Sequence, residues 1–308
     1  MQTILITGGT GLVGTALREL LLERGYKVIL LSRQEHPGRI PSGDHLRVAR
    51  WDIKKQEIAE EAVAGADFII LLAGEGIGDK RWTNARKKEI LESRTGGNAL
   101  IYHALQRQPN RVKAVISASA IGYYGGSDDK VFRETDAPAD SFLGDTCAQW
   151  EKSVLQMQEI AQRVVILRLG IVLSKDGGLL KKWMLPLRYG FAGIPGNGEQ
   201  WISWIHLRDV CRLFYTAVAS ERMQGVYNAV APFPVSTKEL VISMAKAMKG
   251  KNYLPVHVPS SLLELWRGEM SGELLKSCRV SPEKLGFTGF QFSYPTVQSA
   301  MEEIFKRR

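Results

Sequence analysis

Thr7-Gly8-Gly9-Thr10-Gly11-Leu12-Val13-Gly14 is the stretch on which the fold turns. It follows the apolar run Thr3-Ile-Leu-Ile-Thr7 and opens a helical pattern over Leu12–Arg24. In that pattern Leu12, Ala16, Leu17, Leu20 and Leu21 form one apolar face. Gly8 suits a tight turn, Gly11 a close backbone approach to an anion, and Gly14 close packing of helix on strand. The helix N-terminus aims N–H donors at the same place. A glycine triplet alone says little. Between a strand and an amphipathic helix it reads as a dinucleotide pyrophosphate turn, with Gly8, Thr10, Gly11, Leu12, Val13 and Gly14 as its contacts.

Outward from this turn, strand and helix signals alternate. Apolar or β-rich runs stand at Val28–Ser32, Leu46–Asp52, Phe68–Ala73, Ala114–Ser119 and Val164–Gly170. Helical stretches lie at Asn84–Gln106 and Asp145–Gln162. Strands apolar throughout need cover on both faces, so the fold class is α/β, a Rossmann-type doubly wound parallel sheet. After Gly170 the pattern breaks into a Gly-, Lys- and Pro-punctuated segment, and a further strand follows at Val226–Val230. Ser236 with Glu239 and Ser261 with Glu264 read as capping boxes, and Ser281-Pro282 as a helix start. The expected division is 1–173 with 206–231 as the nucleotide-binding domain. Segments 174–205 and 232–308 then form a smaller, mainly helical substrate domain.

The chain has 308 residues, enough for such a pair. Its 44% hydrophobic and 24% charged residues exclude collagen-like, disordered and disulfide-scaffold classes. A net charge of +9 suits nucleic acid, anionic membrane or phosphorylated ligands without choosing among them. The basic residues are spread out with no aromatic ladder between them, so no nucleic-acid partner is expected. Cys147, Cys211 and Cys278 have no metal-ligand spacing, which points to a reduced, cytoplasmic, metal-free protein. No apolar run has the length of about 18 residues that spans a bilayer, and the opening strand is not a leader, so no membrane partner is expected.

The second strand addresses cofactor choice. An acid about 20 residues beyond the glycines would hold the adenosine ribose hydroxyls. Here the strand ends Leu31-Ser32-Arg33, and a hydroxyl with a guanidinium suits a 2′-phosphate, hence NADPH. The competing reading makes Arg33 a solvated loop residue and gives the ribose to Glu35.

The glycine turn resembles that of extended short-chain dehydrogenases/reductases, the superfamily of sugar-nucleotide epimerases and dehydratases. Leu72-Ala73-Gly74-Glu75, Lys80-Arg81-Trp82-Thr83, Ser93-Arg94, Ser117 through Gly125, Trp150-Glu151, Arg168-Leu-Gly170, Trp204-Ile-His206 with Asp209, and the tail from Gly268-Glu-Met270 to Gly289-Phe-Gln-Phe292 narrow it. Together they are similar to an epimerase-family subgroup that carries a short C-terminal domain of unknown function. The resemblance implies that Asp52 contacts the adenine amino group, that Leu72, Ala73 and Gly74 line the cofactor ribose, and that Lys88 and Arg94 bring positive charge to the cofactor. Asp52 as a turn cap and Lys88 as part of a solvated face remain open beside those roles.

The superfamily's catalytic Tyr, followed by a Lys four residues later, falls by resemblance on Leu143 and Cys147, which cannot do that work. Ser117, Ser119 and Tyr124 are the candidate catalytic residues, with Tyr123 beside them. Tyr124 stands as either an acid or an aromatic wall, and Asp209 as a helix cap rather than an acid. Cys147 has no neighbouring His to activate it. The expectation is an NADP(H)-dependent oxidoreductase-like protein acting on a small polar carbonyl or alcohol. Trp183, Met184, Trp201 and Trp204 would line its pocket, with Lys181, Lys182 and Arg188 favouring an anionic substrate. A catalytically silent NADP(H)-binding module and a sugar-nucleotide epimerase are the other readings; the missing tyrosine and Arg33 oppose the epimerase.

Overall fold

The run Thr3-Ile-Leu-Ile-Thr7 is buried at every position, and a strand hidden on both faces requires a layer above and below. The computed structural model, which describes residues 1–34, 43–262, 269–274 and 276–306, supplies both layers. Glu35, Glu264 and Gly268 lie outside the described residues. The main sheet comprises β1 (Thr3–Thr7), β2 (Lys27–Ser32), β3 (Leu46–Asp52), β4 (Glu57–Ile58), β5 (Phe68–Leu71), β6 (Ala114–Ala120), β7 (Arg163–Leu169) and β8 (Gly225–Ala229). Its order is β8-β7-β6-β5-β1-β2-β3-β4, parallel except for the antiparallel β4.

Helix α1 (Leu12–Glu23) packs with the helix Leu207–Ala219, and α3 (Asn84–Arg107) packs with α4 (Phe142–Leu155). A short α2 (Glu60–Ala64) lies against α3. One continuous core joins these helices to the sheet, including Ile4, Ile6, Leu17, Leu21, Ile69, Ile116, Ile166 and Phe214. Strand order reverses at β1, which pairs with β2 on one side and β5 on the other. Ligands of open α/β sheets bind outside the carboxyl ends of the strands at such a point.

A second cluster, including Leu173, Leu180, Leu187, Ile194, Trp204, Leu240, Met244 and Met301, is built from α5 (Gly178–Arg188), α7 (Thr237–Lys249), α8 (Val297–Ile304) and short strands. It is less helical than the sequence suggests. Phe191–Pro195 pairs in parallel with Leu254–Val258, and Trp201–Ile202 pairs with Val235–Ser236. Residues Arg279–Val280 add to Val131–Phe132. Their apolar runs are too short and too interrupted by Gly and Pro to show as strands without partners.

Local signals fare unevenly. Ser236 caps α7 by accepting from the Glu239 N–H, but the Glu239 carboxylate turns to Gln298, so only half of the box forms. Pro282 is the N-cap of a short turn, Glu283–Gly286, rather than a first-turn residue. Helix α4 begins three residues before the expected Asp145, where Ser141 accepts from the Gly144 N–H, and it yields to a 3-10 turn after Leu155. The reciprocal capping box is at Thr296 and Ser299. No helix among the described residues is long and apolar enough to cross a membrane.

Candidate functional site at the carboxyl edge of the sheet

The glycine turn is tied to the switch point by side-chain and backbone contacts. Thr7 Oγ1 accepts from the N–H groups of Leu72 and Ala73, each at 3.1 Å, joining the ends of β1 and β5. Gly8 has φ +68°, and a Cβ there would stand 2.7 Å from the Leu72 carbonyl carbon. A Cβ on Gly14 would meet the Gly8 carbonyl oxygen at 2.2 Å. Both positions therefore demand glycine. Gly11 is the N-cap of α1 and brings no side chain to cap it, so the first N–H donors of the helix remain available to an anion. The side chain of Leu12 rests against Gly177, which brings the start of α5 to the turn.

On the β2 side, Ser32 Oγ accepts from the Gln34 N–H at 3.1 Å, and Arg33 is exposed. Asp52 Oδ1 accepts from the N–H groups of Lys54 and Lys55, so it caps the turn after β3. Lys88 does not join the site. It is exposed on α3 and pairs with Glu92 one turn on, because the face of α3 turned inward carries Ile90, Arg94, Gly97 and Ile101.

Arg94 does reach the switch point. Its guanidinium lies against Gly74, donates to the carbonyls of Ile90 and Glu75 at 2.8 and 3.1 Å, and sits 5.0 Å from the Trp150 ring. Burial lowers its pKa from the usual value. Neighbouring Arg86 fixes the same loop, bonding Glu75, Glu89 and the Gly76 carbonyl. Leu143 on α4 packs against Gly122 and shares a small cluster with Trp82, Ile90 and Met270. Cys147, one turn further, is buried; burial first and Glu151 second push its thiol up to about 12. It is neither a cation nor a ready nucleophile.

The three hydroxyls expected to meet substrate all turn inward. Ser117 is fully buried and donates to the Ala118 carbonyl at 2.8 Å. Ser119, 2% exposed, donates to Glu151 Oε1 at 2.6 Å. Tyr124, 3% exposed, donates to Asn228 Oδ1 at 2.6 Å and accepts from Arg168 Nη1 at 2.7 Å. Arg168 closes the network with two bonds to Glu151, at 2.8 and 2.7 Å, and stacks 3.5 Å from the Tyr123 ring centroid. Burial opposes its charge, but the hydrogen bonds and attraction from Glu151 outweigh that, and Arg168 is held charged. Burial pushes Tyr124 up to about 12, against the lowering pull of Arg168. Its ring stacks on Phe132. This geometry favours Tyr124 as a wall over Tyr124 as an acid.

Glu151 and Arg168 entered the sequence reading only as matching segments. Their pairing depends on a helix-to-strand register that spacing alone does not reveal. Asp209 is not the expected helix cap; His206, to which the sequence assigns no role, is. His206 Nδ1 accepts from the Arg208 N–H and caps the helix α6 (Leu207–Ala219). Asp209 is fully buried and accepts from the N–H groups of Ser293 and Tyr294, anchoring the C-terminal segment. Of the expected pocket side chains, Trp204 is a buried member of the second cluster and Trp201 lies apart, under the Arg279 guanidinium. Trp183 and Met184 pack on the second cluster, Lys182 bonds the Gly78 carbonyl and pairs with Asp79, and Lys181 and Arg188 point to solvent.

Comparison with known proteins bears on the family and the fold. The NAD dependent epimerase/dehydratase family model matches residues 4–229, and a domain of unknown function (DUF1731) matches residues 258–304. The epimerase family protein YfhF of Bacillus subtilis is 33% identical over 308 residues, covering 100% of this chain and 99% of the relative. The epimerase family protein SDR39U1 of Mus musculus is 33% identical over 306 residues, covering 98% and 99%. The crystal structure of the human SDR39U1 protein (isoform 2) with NADPH superposes with a TM-score of 0.86 at 28% identity, covering 100% of both chains. The UDP-N-acetylglucosamine 4-epimerase of Methanobrevibacter ruminantium, at 17% identity, 99% and 97% coverage and a TM-score of 0.81, shares the fold. On its sequence and its sheet, this chain belongs to the NAD dependent epimerase/dehydratase family.

Proposed function

We propose that the protein binds NADP(H) across the carboxyl edge of the sheet and exchanges hydride with a carbonyl or alcohol. The observation that carries this reading is the glycine turn, followed by Ser32-Arg33 where an acid would select NAD. The uncapped start of α1 would hold the pyrophosphate, and Arg33 with Ser32 the 2′-phosphate. Leu72, Ala73 and Gly74 would line a ribose, on a turn that Arg94 and Thr7 keep in place. NADPH, when bound, supplies the hydride. The NADPH in the human relative's crystal structure supports the cofactor choice.

The chain's own residues supply little acid chemistry. Leu143 has no proton, the Cys147 thiol is neutral, and the hydroxyls of Ser119 and Tyr124 are committed to Glu151 and Asn228. Protonation of a product alkoxide by water fits this arrangement better than transfer from a side chain.

A second reading, a cofactor-binding module without turnover, is favoured by Leu143, which stands where the family's acid would be and is packed into one buried cluster with Trp82 and Met270. Mass spectrometry of the nucleotide that co-purifies, followed by NADPH consumption across a carbonyl panel, separates the two. Bound NADP(H) with consumption supports the enzyme, and bound NADP(H) without it supports the module. A protein that neither retains nor takes up either dinucleotide contradicts both.

A further inference from the structure

The large apolar side chains exposed around α5 form a group. Leu185 and Tyr189 stand one helical turn apart at the end of α5, 59% and 78% exposed. The chain turns at Gly190 into Phe191–Pro195, whose register sets Phe191 beside Leu254 and Gly193 beside Val256. Phe191 and Leu254 are 51% and 58% exposed, and Val256 is exposed beside them. The Leu254 N–H donates to the Gly190 carbonyl at 2.8 Å, so helix end and ribbon are one surface. A contiguous patch of this kind on a charged protein marks a contact site.

The rim of the patch is basic. Lys181 precedes Leu185 by one turn, Arg188 follows it, and Lys249 Nζ donates to the Arg188 carbonyl at 2.9 Å. Lys251 is exposed just before Leu254. Residues 177–198 and 240–263 contain no Asp or Glu, although the whole chain has 32. Lys182 is left out of this set because it pairs with Asp79.

We propose that this face docks the protein on an anionic lipid bilayer. Aromatic and aliphatic side chains bordered by Lys and Arg are the composition that settles at a headgroup boundary, and among the described residues Lys181, Arg188, Lys249 and Lys251 form no ion pair. The net charge of +9 adds long-range attraction to such a surface. A second chain adding to the ribbon fits less well. Since the Leu254 N–H points at Gly190, alternate residues face the open edge, and there Pro255 has no N–H to give. The contact is peripheral, so the absence of a spanning helix among the described residues does not bear on it.

The test is cosedimentation with vesicles of phosphatidylcholine containing phosphatidylglycerol, against vesicles of phosphatidylcholine alone. Binding is expected to the anionic vesicles only, and it should weaken as salt rises. Arg188→Glu with Lys251→Glu should lower the partition at least about fivefold for each side chain. Tyr189→Asp should also lower it, with unchanged thermal unfolding because the side chain is exposed. No binding to anionic vesicles at low salt overturns the proposal, as does undiminished binding by the variants. Concentration-dependent self-association that Tyr189→Asp abolishes would assign the patch to a second copy and overturn it too.

Discussion

Replacing Tyr124 by Phe keeps the ring on Phe132 and removes one oxygen that serves two bonds. One bond comes from charged Arg168 and is worth about 1.5–3 kcal/mol, the other goes to Asn228 and is worth about 0.5–1.5 kcal/mol. Both partners are buried, so water does not replace the lost oxygen without rearrangement. The expected loss is about 2–4 kcal/mol, which corresponds to a fall in Tm of roughly 5–10 °C for a chain of this size. Thermal and urea unfolding of the two proteins measure it, with the urea slope checking that the unfolding transition is unchanged. NADPH affinity should stay the same, and so should turnover of any carbonyl found to be a substrate. The reasoning is refuted if Tyr124→Phe unfolds like the parent protein while turnover drops by about 10²-fold, the scale of a lost positioned acid.

Arg168→Met should be harsher, because it strands the Glu151 carboxylate in the core; a loss of about 3–5 kcal/mol, or failure to accumulate as soluble protein, is expected. High pH should destabilise the fold. Tyr124 is raised from 10.0 to about 12, and Cys147, Cys211 and Cys278 are each raised from 9.0 to about 12. These groups ionise first in the unfolded chain, so their contribution is complete below about pH 9 and is lost as pH rises toward 12, which urea midpoints across that window would show. UDP-sugars should not be epimerised by the purified protein, since neither Leu143 nor Cys147 can take a proton from a sugar hydroxyl; robust epimerisation, detected by chromatography of the products, would contradict this.

Most of the sheet was legible because its central strands are buried apolar runs, although Leu46–Asp52 carries Arg47, Arg50 and Asp52 on a partly exposed strand. Thr3–Thr7 and Leu46–Asp52 are read to the residue and the other parallel strands to within two, while the two-residue antiparallel β4 gives no signal of its own. The glycine turn was legible because backbone constraint at Gly8 and Gly14 writes itself directly into residue type. Other features were hidden for stated reasons. Ser141 lies four residues before Asp145, the first acidic signal of α4, so its cap is visible only once the backbone bends. Lys88 and Arg94 are both basic residues on one helix, and only its rotation tells that Arg94 faces the switch point. The bond from Ser119 to Glu151 spans 32 positions, and that from Tyr124 to Asn228 spans 104. Such partners belong to tertiary register, which local pattern does not encode.

The central claim, a dinucleotide site tuned to NADP(H), is tested most directly by parallel titrations of NADPH and NADH into the parent protein and Arg33→Ala. The parent is expected to prefer NADPH, and the substitution to weaken NADPH by about ten- to a hundredfold through loss of one charge-assisted contact. NADH affinity should barely change. Equal affinity of the parent protein for the two cofactors would contradict the account.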